Sequence, residues 1–495
     1  MRNSLILISV LALSGCVTLP PMKQIKPDFP TAWPTETGQA QAAESVAADW
    51  WKAYHDPALD ALMAEALAHN RDLALAAARI EEVRANLGLA KANLYPEVGI
   101  DGNVGRSRVT GKGNMPAGSE LTNNNFKLNL QAAWEVDLWG RYREASAAAR
   151  ADLLATEFAR HGIQSSLTSA VAQSYFGLAA LDANLKLAQD TLVNRREAVK
   201  LQRLRFEGGV SSELILRQAE AEAASIEVSL AQLAQQVRQQ ELVLAILLGR
   251  DPRALMQASV ARSASLFQLA LSPAIAAIIP AGLPSDLLLR RPDLRQAEQK
   301  LLSSQARIRE AGAAIYPNLS LTAHLGSESK ALSDLFTSPA SIWGLAAGIS
   351  QTIFNAGRTE AAVNAAGARQ DQALIAYEQA VQTAFKEVLD ALISHRQARE
   401  TGLAEADRTK ALKRAAELAE LRFQNGISNY LEVLDARRNL FQAEQGGIEA
   451  RLLQLVATAN LFKAMGGGWD AEAETKTELK AGLDTETHAT EKRTP

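Results

Sequence analysis

The sequence predicts a mainly α-helical chain with a smaller transmembrane β part, built from one duplicated unit. Three observations carry this prediction: a composition dominated by alanine and leucine, long helical segments without proline, and a repeat that covers most of the chain. Hydrophobic residues make up 47% of the 495 residues but aromatic residues only 5%, which favours long helices over an aromatic-rich β-sandwich. The formal net charge of −3 gives no indication of a nucleic-acid partner.

The helical prediction is strongest between Leu138 and Phe206, where the chain contains no proline. Leucine and alanine recur there at spacings of three and four residues, which is typical of a coiled coil. These positions are Leu178, Leu181, Leu185, Ala188 and Leu192. A helix of about 70 residues is roughly 100 Å long at a rise of 1.5 Å per residue.

One sharp turn occurs twice in the chain. Residues 204–220 read LRFEGGVSSELILRQAE and residues 421–437 read LRFQNGISNYLEVLDAR, an offset of 217 residues from residue 204 to residue 421. Because Gly209 and Gly426 can adopt the left-handed conformation that ends a helix, each turn is predicted to be the tip of a helical hairpin. Ser211 and Ser428 are then predicted to cap the returning helices.

The repeat extends far beyond these tips, since matching Tyr-Pro and Gly-Arg pairs occur in both halves. We predict a first repeat at 46–250 and a second at 284–465, joined by a connector at 251–283. Each repeat is predicted to contain a helix that ends at Tyr-Pro, two strands, a long helix and a returning helix. Residues 466–495 are charged and rich in Thr and Glu, and we predict that they form a disordered tail.

The predicted strands show period-two alternation over about ten residues, a length that spans a bilayer when the strand is tilted. One face is predicted to contact lipid and the other to face water. The lipid-facing set is Phe126, Leu128, Leu130, Leu319, Leu321 and Leu325, and the water-facing set is Lys127, Asn129, Ser320 and Thr322. Four strands cannot close a barrel without leaving edge groups unpaired in lipid, and bacterial barrels begin at eight strands. At least two chains are therefore needed.

The N-terminus has the features of a secretory signal at residues 1–15, with Arg2 followed by an apolar run. Leu13-Ser14-Gly15-Cys16 resembles the lipobox of bacterial lipoproteins, which implies cleavage before Cys16, the only cysteine, and acylation of that residue. Residues 16–45 would then be a lipidated tether. The alternative is a plain signal peptide in which the cysteine is incidental.

Catalysis and resident cofactors are not expected. The six histidines are scattered, with no pair at a spacing suited to metal ligands. The segment GRSRVTGKG at 105–113 approaches a phosphate-binding loop but has one residue too many and lies between strands. No GxSxG motif occurs. A purely structural coiled-coil lipoprotein of the periplasm stays open as an alternative, although it would have no use for paired strands.

The segments GLPSDLLLRRPDLRQAE at 282–298 and LEVLDARRNL at 431–440, together with Trp50-Trp51 and the Tyr-Pro strand starts, resemble the outer-membrane factors. These are the TolC-like channels, and the lipobox points to the NodT-type efflux lipoproteins among them. The resemblance covers roughly residues 45–465. It implies a homotrimer, with a twelve-stranded β-barrel in the outer membrane and a long α-helical barrel in the periplasm.

The same resemblance implies a function: passive conduction of small molecules, such as drugs, in a tripartite efflux system. The partners would be a periplasmic adaptor and an inner-membrane pump of the resistance-nodulation-division type. Type I protein secretion through a similar duct is the alternative within the channel class.

The resemblance also assigns site residues. The hairpin tips would contact the adaptor, through Gly209, Val210, Ser211, Gly426, Ile427 and Ser428. Glu432 and Asp435 would line the narrow periplasmic gate. Helix termination alone explains the tips equally well. A solvated Glu432 near the helix N-terminus, with Asp435 paired to Arg438, is the alternative for the acids.

Overall fold

The computed structural model describes residues 48–110, 112, 120–257, 260–263 and 290–469. The predicted signal segment, Cys16, the tether, most of the connector and the chain beyond Trp469 lie outside the described residues. Within the described part of the chain, no helix is both long and apolar enough to cross a membrane.

From the helix before the first strand to the returning helix, the described helices and strands follow the same order in both repeats. The first repeat contains α1 (Pro57–His69), α2 (Arg71–Ala92), β1 (Glu97–Arg108), β2 (Thr122–Val136), α3 (Arg141–Glu207) and α4 (Glu213–Leu247), with a short helix α5 (Pro252–Met256) after it. The second contains α6 (Pro292–Ala313), β3 (Asn318–Ser329), β4 (Ser341–Ser350), α7 (Arg358–Gln424) and α8 (Tyr430–Ala464). The two long helices α3 and α7 have 67 residues each, and the returning helices α4 and α8 have 35 each.

The chain forms two compact units, and neither coincides with a repeat. Of the described residues, unit one contains Arg79–Glu157 and Gln296–Glu378, whereas unit two contains 48–78, those within Phe158–Arg295, and 379–469. Each unit therefore combines corresponding parts of both repeats. In unit two, buried apolar residues of both repeats pack together in the same clusters.

Unit one contains an antiparallel four-stranded sheet in the order β1-β2-β3-β4. The central pairing, β2 with β3, joins the two repeats, with Leu130 opposite Leu325 and Trp134 opposite Leu321. Two further contacts join the repeats where β2 ends and β3 begins. The Trp139 indole N–H donates to the Pro317 carbonyl at 2.7 Å, and the Trp139 ring stacks on the Tyr316 ring. Bulky aromatic contacts thus fix how the second repeat pairs with the first.

Unit two contains the main apolar core. The predicted Trp50-Trp51 pair is buried there with Tyr175 and Phe176 of α3, and the Trp50 ring stacks on Phe462 of α8 at 5.3 Å. Close to this core, the buried Tyr175 hydroxyl donates to the Asp56 carboxylate at 2.6 Å.

Trp469 corrects the predicted start of the tail. Residues 466–469 are packed in unit two instead of being disordered, and Trp469 is only 4% exposed. Its indole N–H donates to the Arg290 carbonyl at 2.8 Å, and its ring stacks on His161. Burial of one large aromatic ring outweighs the charged, Thr- and Glu-rich composition on which the prediction of disorder rested.

Candidate functional site

The two hairpin tips, both in unit two, have the predicted left-handed glycines. Gly209 has φ +69° and Gly426 has φ +73°. In the first tip the Val210 N–H donates to the Arg205 carbonyl at 2.8 Å, and in the second the Ile427 N–H donates to the Arg422 carbonyl at 2.9 Å. This hydrogen bond, from the residue after a left-handed glycine back to the last helical turn, is the Schellman arrangement.

The helix caps lie one residue later than predicted. The returning helix α4 is preceded by Ser212, and α8 is preceded by Asn429, whose Oδ1 accepts a hydrogen bond from the Glu432 N–H at 3.1 Å. The predicted caps, Ser211 and Ser428, have buried hydroxyl oxygens that find no hydrogen-bond partner in the described part of the chain. The Schellman turn adds one residue between the end of one helix and the start of the next. The cap of the returning helix therefore lies one residue later in the chain.

Apolar side chains are exposed at the same positions of both tips. Val210 is 73% exposed and the corresponding Ile427 is 67% exposed. Two further corresponding pairs are also exposed: Leu204 with Leu421, and Leu214 with Leu431. Exposed apolar residues are common singly, but here three equivalent positions of the two tips all carry one. We call these six residues the tip surface.

Buried apolar residues pack the two hairpins against each other just behind the tip surface. Tyr430 and Val433 of α8 form a cluster with Ala219 of α4. The Tyr430 ring lies 5.3 Å from the Phe423 ring, and the Arg205 guanidinium lies 5.1 Å from the same Phe423 ring. This last contact joins α3 of the first hairpin to α7 of the second by a cation–π interaction.

The two predicted gate acids are each paired with an arginine. Glu432 lies 3.1 Å from Arg422 Nε of α7, and Asp435 lies 2.6 Å from Arg438 Nη2. Asp435 also accepts a hydrogen bond from the Asn439 amide at 3.2 Å. The Asp435–Arg438 pair was foreseen as the alternative to a gate role; the Glu432–Arg422 pair was missed because its residues lie on different helices. All four charged groups remain largely exposed.

The sheet of unit one has one apolar and one polar face. The register places Leu128, Leu130 and Trp134 of β2 beside Leu321 and Leu325 of β3. The edge strands continue this face with Val98, Ile100, Val104, Trp343, Leu345 and Ile349. The opposite face carries Lys127 near Glu328, at 3.9 Å between Nζ and Oε2. The predicted division of β2 and β3 residues between two faces agrees with this register.

One contact on the polar face explains a glycine in β4. Gly344 lies opposite His324, and a Cβ at Gly344 would lie 2.5 Å from the His324 ring. The imidazole therefore occupies the space that a side chain on β4 would need. The sequence showed glycines on one face of this strand but gave no sign of what covered them.

The sequence model of the outer membrane efflux protein family matches this chain over residues 62–250 and 283–467, one segment in each repeat. The chain belongs to the outer membrane efflux protein family. It is 36% identical over 464 residues to the probable efflux pump outer membrane protein TtgC of Pseudomonas putida, covering 92% of this chain and 93% of that relative. It is 34% identical over 437 residues to the cation efflux system protein CusC of Escherichia coli, covering 88% and 92%.

Solved structures of this family share the fold. The CmeC outer membrane channel of Campylobacter jejuni superposes with a TM-score of 0.86 at 26% identity, covering 94% of this chain and 98% of that one. A structure of CusC gives a TM-score of 0.79 at 32% identity. The chain is thus an outer-membrane efflux channel protein whose helical part lies in the periplasm, which confirms the predicted fold class, localisation and efflux function.

Proposed function

We propose that three copies of this efflux protein form one channel that conducts small molecules, such as drugs or other toxic compounds, across the outer membrane. The observation that carries the proposal is the sheet of unit one, with an apolar face that extends over all four strands. Its edge strands, β1 and β4, have no partner among the described residues. In hydrocarbon such edges would leave backbone groups unpaired, so further copies must supply the missing neighbours.

Disulfide crosslinking between edge strands tests the trimer. Asp101 of β1 and Ala346 of β4 lie on the polar face at opposite edges of the sheet, so cysteines at both positions can only join different chains. We expect a ladder that ends at three chains on a denaturing gel. A ladder that ends at two chains, or continues beyond three, would contradict the trimer. A Cys16→Ala background removes the single native cysteine.

The tip surface is proposed to contact a periplasmic adaptor, through Val210 and Ile427 and the adjoining Gly209, Ser211, Gly426 and Ser428. The exposed apolar side chains support this, because a partner that covers them removes apolar surface from water. The adaptor in turn connects the channel to an inner-membrane pump, which the family resemblance assigns to the resistance-nodulation-division type. Photocrosslinkers at Val210 and Ile427 are expected to capture the adaptor. Val193, 62% exposed and 14 residues before the end of α3 at Glu207, is the matched control; capture from Val193 alone would move the contact away from the tips.

Glu432 and Asp435 are proposed to line the periplasmic entrance. Three chains would bring six carboxylates together, and like charges held close repel each other, so the entrance would attract cations. The arginine partners Arg422 and Arg438 reduce the net charge there.

Cys16 lies outside the described residues, and its acylation stays a proposal. It rests on the lipobox resemblance. Cys16→Ala is expected to abolish labelling with radioactive palmitate; label that persists in this variant would refute acylation at Cys16.

A further inference from the structure

A groove of about 630 Å³ lies within unit two between α3, α7 and α8. Arg195 and Gln202 of α3 line one side, Lys413 of α7 lines another, and Tyr430 and Arg437 of α8 complete it. The groove therefore joins the first hairpin to the second. Neither the tip surface nor the two gate acids form part of its lining.

Arg195 is the unusual group in this groove. It is only 5% exposed, yet its Nε and Nη1 atoms have no hydrogen-bond partner among the residues that the structure describes. A guanidinium carries five N–H donors, and a buried charge without hydrogen-bonding partners is strongly unfavourable. Gln202, 1% exposed, also has an unpartnered Oε1. Two nearly buried polar side chains thus lie unsatisfied at the wall of a cavity that has room for a ligand.

The carboxylates that line the groove are already committed to other cations. Glu197 pairs with Lys200 at 2.7 Å, Glu417 with Arg414 at 3.0 Å, and Glu420 with Arg437. These three carboxylates are therefore already paired with cations other than Arg195.

The remaining acids do not satisfy Arg195 either. Glu444 is half-buried, and burial raises its pKa while Lys413 lowers it. Burial lowers the pKa of Arg195, and the charge of Glu222 on α4 acts in the opposite direction. Glu222 attracts Arg195 electrostatically, but Nε and Nη1 remain without a hydrogen bond. Within the described ranges, these two nitrogens thus have no carboxylate oxygen at hydrogen-bonding distance.

We propose that this groove is a binding site for a small oxyanion, of the phosphate or carboxylate class, held by Arg195 with Lys413 adding positive charge. Arginine suits this ligand because its planar donors match the oxygens of phosphate and carboxylate. A bound anion would link α3 of the first hairpin to α7 of the second and so hold the two hairpins together. This site is independent of the proposed gate and of the adaptor contact.

The test is calorimetric titration of inorganic phosphate into the full-length protein in detergent, with sodium chloride at matched ionic strength as the blank. The wild-type protein is expected to bind phosphate with millimolar or better affinity. Arg195→Gln is expected to weaken binding at least tenfold, and Arg195→Lys to weaken it less, because lysine keeps the charge but lacks the planar donors. Arg196→Gln is the matched control, since Arg196 is exposed and pairs with Glu227 at 2.7 Å outside the groove. This control should bind as the wild type does.

Two results would overturn the proposal: no phosphate binding by the wild-type protein, or equal affinity in the wild type and Arg195→Gln. The first result would also be expected if a carboxylate side chain from a neighbouring copy filled the groove. If Arg195→Gln fails to fold, crystals of the wild-type protein soaked in selenate provide a second measurement. An anomalous peak beside Arg195 would support the site, and a groove without such a peak would refute it.

Discussion

Arg203 of α3 and Glu220 of α4 form a 2.9 Å ion pair across the first hairpin. The equivalent positions in the second hairpin, 217 residues later, hold Glu420 and Arg437, which form the same pair with the charges exchanged. The two repeats thus preserve the interaction while reversing its polarity. The position requires opposite charges, and either helix can supply the cation.

This reversal predicts a rescue experiment. Glu420→Arg places two cations beside each other and is expected to destabilise the second hairpin. Adding Arg437→Glu should restore stability, because the double variant has the polarity of the first hairpin. Both side chains are about one-third exposed, so solvent screening limits the effect to about 0.2–1 kcal/mol. Thermal unfolding followed by circular dichroism measures it; a double variant no more stable than the single one would show that the pair makes no contribution.

The two faces of the sheet are predicted to differ in how well they tolerate a charged residue. Leu128→Arg places a charge on the apolar face and is expected to reduce insertion into the outer membrane, at a cost of about 2–4 kcal/mol near the midplane. Gln131→Arg on the polar face is the control and should insert normally. Asn129 shares that polar face but is only 6% exposed, which makes it a poorer control. Equal amounts of both variants in outer-membrane fractions would contradict this assignment of a lipid-facing and a water-facing side.

The ion pairs at the second tip predict opposite effects on ion selectivity. Glu432→Gln with Asp435→Asn is expected to weaken cation preference in planar bilayers, because it removes the negative charges. Arg422→Gln is expected to strengthen it, since Glu432 then loses its positive partner. If reversal potentials stay unchanged in both variants while the assembly is intact, these acids do not line the entrance.

Two glycines with different surroundings predict stability changes of opposite sign. Gly249 has φ +73°, and a Cβ there would lie 2.0 Å from the His69 carbonyl oxygen. Gly249→Ala is therefore expected to destabilise unit two by more than the ~1–2 kcal/mol of a left-handed residue. Gly88 lies within α2 with open space around it, so Gly88→Ala should stabilise by up to about 1 kcal/mol. Thermal unfolding midpoints that shift in the same direction would contradict this reading.

Burial of Trp469 predicts a large effect on stability from a residue within the segment predicted to be a disordered tail. Trp469→Ala is expected to cost about 3–5 kcal/mol, as for other buried large aromatic residues. Phe336→Ala removes a ring that is 79% exposed and should change stability little. If the two variants unfold at the same temperature, Trp469 does not contribute to packing of the wild-type protein.

The sequence by itself determined the features that depend on local periodicity. The 67-residue helices follow from proline-free stretches with apolar residues three and four positions apart, because those side chains fall on one helical face. The assignment of Leu128 and Asn129 to opposite faces of the sheet follows from the alternation of side chains along a strand. The two hairpin tips could be predicted from the sequence, because Gly209 and Gly426 recur at the offset of the repeat and few other residues adopt positive φ.

Only the tertiary structure decided which distant groups meet. The β2–β3 pairing, the Glu432–Arg422 ion pair and the burial of Trp469 against His161 all join residues whose separation in the chain carries no periodic signal. The same holds for Arg195. In the sequence it is one of two adjacent arginines, and Arg196 is exposed and paired whereas Arg195 is buried and unsatisfied. Adjacent helical positions point about 100° apart, so packing of the second hairpin against α3 decided which of the two arginines lines the groove.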